Sequence, residues 1–231
     1  MFNRTAAYYD AIYSFKDYEA EAAEVVRWAR RYGNGGSRLL DMACGTGRHA
    51  EHLAESYEVT GLDLDGGLLE QARIRLPRVR FVQGEMSRAK LEHRFDVITC
   101  LFSAIGYLAK ADLKVACANF YHHLAAEGVV LIEPWLRPEM IRAGNVGIDQ
   151  ADGEGYTLVR MSRLQIEGSQ SICQFHYLIG DAQEIRHEYE EHRLTLFTLD
   201  EYREALEDAG FEFHWDEKGL TGRGMLIGIK R

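Results

Sequence analysis

Between residues 38 and 133 the chain alternates short apolar runs with stretches of helical spacing, and this alternation limits the folds open to it. The apolar runs fall at 38–43, 59–63, 79–83, 95–102 and 128–133. Helical spacing fills 49–57, 68–76 and 112–124, and a further helix over 18–32 precedes them. The run 95–102 is apolar at nearly every position, as in a strand buried on both faces. Strands and helices in this order predict an α/β fold, a parallel sheet with helices on both sides. Such sheets bind ligands beyond the carboxyl ends of their strands, where strand order reverses. With 46% hydrophobic residues in 231, the chain can fill one such core and carry an elaboration on it.

The pattern changes after residue 133. Runs at 156–167, 171–180 and 184–197 read as three successive strands, with turns at Gly168-Ser169 and Gly180-Asp181. They predict an antiparallel insertion, either a lid over a substrate or a dimer surface. Thr198 and Glu201 have the spacing of a reciprocal capping box and start a helix over 198–208. Strands at 211–216 and 225–230 close the chain. The expected organisation is an N-terminal arm and core over 1–133, the insertion over 134–197, and closing elements over 198–231.

The run Asp41-Met42-Ala43-Cys44-Gly45-Thr46-Gly47 carries a strand into a glycine turn and then a helix. Gly45 and Gly47 let the backbone come close to a ligand. Asp63 ends the second strand 18 positions after Gly45, where a carboxylate can accept from the ribose hydroxyls of an adenosine. Gln83-Gly84-Glu85-Met86 ends the third strand; its acid can accept from an adenine amino group, and Met86 can pack on the ring.

These segments resemble the consecutive S-adenosylmethionine (SAM)-binding motifs of class I methyltransferases, which have a Rossmann-like sheet. The resemblance extends through Tyr8-Tyr9-Asp10, Lys16-Asp17-Tyr18, Thr99 to Gly106, Glu133-Pro134-Trp135, Leu196-Phe197 and Gly222-Arg223-Gly224. In that order they resemble the N,N-dimethyltransferases acting on dTDP-3-amino-hexoses in antibiotic sugar pathways, of the desosamine and mycaminose type. The resemblance implies that Tyr9, Tyr18, Ala43, Gly45, Gly47, Asp63, Glu85, Met86 and Leu101 hold SAM. It implies that Trp135 and Arg223 meet the substrate, with Arg223 on its diphosphate. Where the family carries His after Ile-Gly, this chain has Tyr107, and Leu136 stands for the second Trp of Glu-Pro-Trp-Trp. Tyr107 is the candidate catalytic residue, either shaping the pocket or accepting and relaying a proton. The expected reaction is N-methylation of a nucleotide-linked amino sugar. O-methylation of a carboxylate or phenol, and SAM binding without catalysis, remain open at this point.

Composition narrows the partners. Net charge is −9, from 27 basic and 36 acidic residues, which opposes a general nucleic-acid binder. No apolar run is long enough to cross a bilayer, the opening residues form no leader-like run, and a cytoplasmic protein is expected. Cys44, Cys100, Cys117 and Cys173 show neither metal nor disulfide spacing. No metal is expected. His49 and His52 read as solvated helix residues; His176, His187 and His192 lie on the insertion strands, with a substrate-facing role for one of them the minority reading. A homodimer through the insertion is one reading of its role.

Overall fold

The computed structural model describes residues 8–231; residues 1–7, which include the opening read above, lie outside them. α1 (Tyr9–Ile12) and α2 (Tyr18–Tyr32) lead into β1 (Arg38–Met42), α3 (Arg48–Leu53), β2 (Glu58–Asp63), α4 (Gly66–Arg75) and β3 (Arg80–Gln83). β4 (Phe95–Cys100), α5 (Leu113–His123) and β5 (Leu124–Ile132) follow. The insertion is β6 (Val146–Gly153), β7 (Tyr156–Glu167), β8 (Gln170–Asp181) and β9 (Ile185–Thr195). α6 (Leu199–Asp208), β10 (Phe211–Asp216) and β11 (Met225–Lys230) complete the chain.

Seven strands form one sheet in the order β10-β11-β5-β4-β1-β2-β3. β1 through β5 run parallel, whereas β11 is antiparallel to β5 and β10 to β11. Strand order reverses at β1, which pairs with β2 on one side and β4 on the other. The crevice beyond the ends of β1 and β4 is therefore the place for a ligand.

The period-two alternation of the strands divides the core between the two faces. Leu40, Met42, Ile98, Cys100, Val130 and Ile132 pack on one side with Phe120, Phe197 and Tyr202. Leu39, Val97, Val129 and Leu131 pack on the other with Val25, Trp28 and Ala29 of α2. Asp17 starts α2 by accepting the Ala20 N–H at 2.9 Å. All six residues of β4 are buried, as its apolar run requires.

The second sheet is antiparallel, in the order β6-β7-β8-β9. It holds four strands where the sequence suggests three. β6 is an edge strand of exposed and half-exposed residues, so it carries little of the apolar signal that marks a strand. On the inner face of this second sheet Leu158 of β7 and Tyr177 and Ile179 of β8 pack against Ile12 of α1. Two other expectations shift: α3 ends at Leu53 rather than near residue 57, and β5 starts at Leu124. A register shift between Phe95 and Val97 accompanies that earlier start.

His49 is buried, not solvated: its Nε2 lies 2.7 Å from Glu21 Oε2, across the α2–α3 packing. All four cysteines are buried free thiols. No helix among the described residues is long and apolar enough to cross a membrane.

Candidate active site

The turn after β1 places Ala43 at φ 58° and Gly45 at φ 56°. After β4, Phe102 and Ser103 take φ 50° and 65°. Three non-glycine residues thus occupy the left-handed region at the carboxyl ends of adjacent strands, each at a cost of roughly 1–3 kcal/mol. Strain of that kind persists where the surroundings hold it, and it gathers at functional sites.

Glu133 holds the β4 turn in place. It is fully buried, accepting the Phe102 N–H at 2.7 Å and the Thr221 hydroxyl at 2.5 Å. One carboxylate therefore joins the β4 turn to the loop between β10 and β11. In that loop Gly224 has φ 90°, and a Cβ there would lie 1.9 Å from the Trp215 ring. Arg223 beside it donates to Ser103 Oγ at 2.5 Å and lies 4.9 Å from the centre of the Trp135 ring. Trp135 is oriented in turn by its Nε1–H on Ser171 Oγ, at 2.8 Å.

These turns border one cavity of about 930 Å³, near the upper end of the range for small-molecule sites. Tyr9, Ala43, Gly45, Asp63, Glu85, Met86, Leu101, Tyr107, Trp135 and Arg223, ten of the twelve residues singled out from the sequence, line it together. The other two stand behind it. Gly47 heads α3 and faces Ala72, Leu76 and Phe81. Tyr18 is buried edge-on against His49, with Lys16 Nζ 5.5 Å and Arg48 Cζ 5.0 Å from its ring centre.

Asp63 accepts the Gly45 and Asp65 N–H groups, each at 2.8 Å, and its burial raises its carboxyl above the usual range. Asp41, under the same turn, takes the Thr99 hydroxyl at 2.8 Å; burial pushes it up to about 6. A side chain at Gly45 would meet nothing within 4 Å, so the turn presents bare backbone to open space. Glu85 accepts from Ser87 Oγ at 2.7 Å. A bare turn, a carboxylate, an acid and a thioether around one apolar space fit an adenosine-bearing ligand.

Cavity residues also come from the arm and the insertion. Tyr13, Arg160, Phe175 and His192 line the cavity. Arg160 is held by Asp149 at 2.7 Å and donates to the Tyr13 hydroxyl at 2.9 Å. Of the three insertion histidines, His192 faces inward and lies 2.7 Å from the Tyr107 hydroxyl. His176 and His187 contact each other at 3.0 Å on the exposed face.

Residues 39–128 match a family model described as a methyltransferase domain. Over 97% of its length the chain is 39% identical to the dTDP-3-amino-3,6-dideoxy-α-D-glucopyranose N,N-dimethyltransferase of Streptomyces fradiae, covering 90% of that protein. The chain belongs to the family of dTDP-amino-sugar N,N-dimethyltransferases. This SAM-dependent methyltransferase is also 37% identical to the dTDP-3-amino-3,4,6-trideoxy-α-D-glucopyranose enzyme of Streptomyces venezuelae, over 93% of its own length and 92% of that protein's. The methyltransferase superposes on DesVI of Streptomyces venezuelae with a TM-score of 0.93 at 36% identity, over 98% of both chains. SAM-bound CalS10, an amino pentose methyltransferase of calicheamicin biosynthesis from Micromonospora echinaspora, gives 0.88 at 38% identity. That comparison covers 100% of the methyltransferase and 98% of CalS10.

Proposed function

We propose that this methyltransferase moves the methyl group of SAM to the amino group of a nucleotide-linked sugar, with both ligands in the 930 Å³ cavity. One observation carries the reading: Gly45, Asp63, Glu85 and Met86 share a single space with Trp135 and Arg223. The first group suits an adenosine, and the second suits a sugar with a diphosphate. Asp63 accepts from the ribose, Glu85 from the adenine amino group, and Met86 packs on the ring. Tyr9 and Leu101 close over the cofactor, with the bare backbone of Ala43 and Gly45 beneath it. Arg223 carries five N–H donors in a fork that matches a phosphate. N-methylation is preferred over O-methylation because three relatives, 37–39% identical over at least 93% of the chain, are amino-sugar N,N-dimethyltransferases by name.

SAM supplies a methyl group on a sulfonium, and transfer to a neutral amine removes the charge from sulfur. Leu62, Met86, Leu101, Phe102, Ala104 and Leu108 give the cavity apolar walls. They keep water from the reacting atoms. Holding the nucleophile in line with the methyl group can lower the barrier by roughly 7–11 kcal/mol. Trp135 and Arg223 provide that alignment by fixing the far end of the acceptor.

Incubation with labelled SAM and a panel of dTDP-linked amino sugars, carboxylates and phenols tests the reading. Label on amine nitrogen is expected; label confined to oxygen would refute it. Arg223→Lys should raise the acceptor KM about tenfold or more while leaving SAM affinity unchanged, since a point charge replaces a fork. Unchanged acceptor kinetics would take Arg223 out of the site.

The insertion carries a second proposal. Its inner face roofs the acceptor. Its outer face lines up Ile148, Met161, His176 and Tyr189 in register across all four strands, with Leu178 and Ile185 exposed nearby. A surface of this composition suits a second copy of the chain.

A further inference from the structure

Tyr107, His192 and Glu190 form a buried chain of hydrogen-bonding groups that leads out of the cavity. Tyr107 ends a 3₁₀ turn, Ala104–Tyr107, just beyond β4. Its hydroxyl lies 2.7 Å from His192 Nδ1 on β9. His192 Nε2 lies 3.4 Å from Glu190 Oε2, two residues back on the same strand face. His192 is 3% exposed and Glu190 8%. A phenol donating to Nδ1 leaves the imidazole proton on Nε2, pointing at the carboxylate.

Accepting the amine reading above, we infer that Tyr107 relays the proton of the incoming ammonium to His192, with Glu190 holding the resulting imidazolium. A protonated amine has no lone pair with which to attack. Reference amines titrate from about 7.7 to 10.4, so much of an aliphatic amine arrives charged near pH 7. The N–H bond breaks with its electron pair left on nitrogen. The Tyr107 oxygen takes that proton and passes its own to His192 Nδ1. Phenol and carboxylate end unchanged, and one positive charge has moved from the amine to the imidazole.

The surroundings suit this division of roles. Burial pushes the Tyr107 phenol well above its usual range, so it conducts a proton and does not store one. From β8, Cys173 stands opposite His192 in the register; burial pushes its thiol up to about 11, and Tyr177 likewise stays a neutral phenol. Tyr13, just after α1, sits near Tyr107. Among the charged groups around the pair are Glu190 beside Tyr107, and Arg160 and Arg223 beside Cys173; Arg160, from β7, is tied to Asp149 and stacks 4.8 Å from the Phe175 ring centre. Phe175 packs 5.3 Å from the His192 ring. The sequence leaves Tyr107, where the family carries His, either shaping the pocket or relaying a proton; the structure supplies an imidazole from another element.

The test uses the full chain and Tyr107→Phe, His192→Gln and Glu190→Gln, with the acceptor found by the methylation panel. At about pH 6.5, kcat of Tyr107→Phe and His192→Gln should fall by tenfold or more, within the usual reach of acid–base catalysis. The deficit should shrink to about twofold two pH units above the acceptor amine's own titration, about pH 10 for an amine titrating near 8, where the amine is already neutral. KM for SAM should not move. Nitrogen NMR of labelled histidine, with S-adenosylhomocysteine and the acceptor bound, should show His192 as imidazolium in the unaltered enzyme and neutral in Tyr107→Phe. Glu190→Gln keeps the shape and should favour the neutral imidazole in the same complex, so it carries the test if His192→Gln fails to fold. A deficit equal at all pH values, or a neutral His192 in the unaltered complex, overturns the relay while amine methylation stands. Absence of amine methylation by the unaltered enzyme overturns both readings.

Discussion

The carboxylate of Asp63 borders the cavity while accepting two backbone N–H groups from its own strand end and the facing turn. Asp63→Asn keeps the shape but turns one acceptor oxygen into a donor. A hydrogen bond to a charged group contributes about 1.5–3 kcal/mol, so SAM affinity should weaken by about tenfold or more. Calorimetry giving an unchanged Kd in a folded Asp63→Asn protein would take this residue out of the cofactor site. Gly45, Asp63 and Glu85 can be read from sequence because they end successive strands of one repeating unit. His192 can be read only halfway. Strand alternation puts His187 and His192 on opposite faces of β9, but which face is inward depends on packing. Tyr13 and Arg160 leave no trace, because they meet only when α1 folds against the insertion.

At the level of elements, α6 has the capping box that its sequence spells. Thr198 Oγ1 accepts the Glu201 N–H at 3.1 Å, and Glu201 accepts the Thr198 N–H at 2.8 Å. Thr198→Ala should cost about 1 kcal/mol and lower Tm by about 2–4 °C for a chain of this size. KM values should stay unchanged; a large shift in them, with Tm unmoved, would mean the cap serves the site and not the helix. The core strands are legible because they are apolar on both faces. β6 is not, because none of its residues is buried and no apolar face marks it. α3 is shorter than its periodicity implies, since past Ala54 the chain tightens into turns, Glu55 N–H bonding the His52 carbonyl and Ser56 N–H that of Leu53.

Across the whole molecule, the exposed row through Met161 predicts association. The unaltered chain should sediment as a dimer at micromolar concentration, and Met161→Glu should shift it to monomer by placing two like charges across a symmetric contact. A monomeric unaltered chain would leave the outer face without this partner. The arm ties the two sheets together. Asp10 takes the Thr46 hydroxyl at 2.6 Å and pairs with Arg75 on the core side. Tyr8 accepts from Arg186, and Tyr13 from Arg160, on the insertion side. The residue between these anchors, Tyr9, walls the cavity. A ligand beneath it can leave along this side only after fastenings to both sheets have parted. On this side, release is coupled to the unlatching of the arm, so one short segment links the departure of a ligand to the joint between the two sheets.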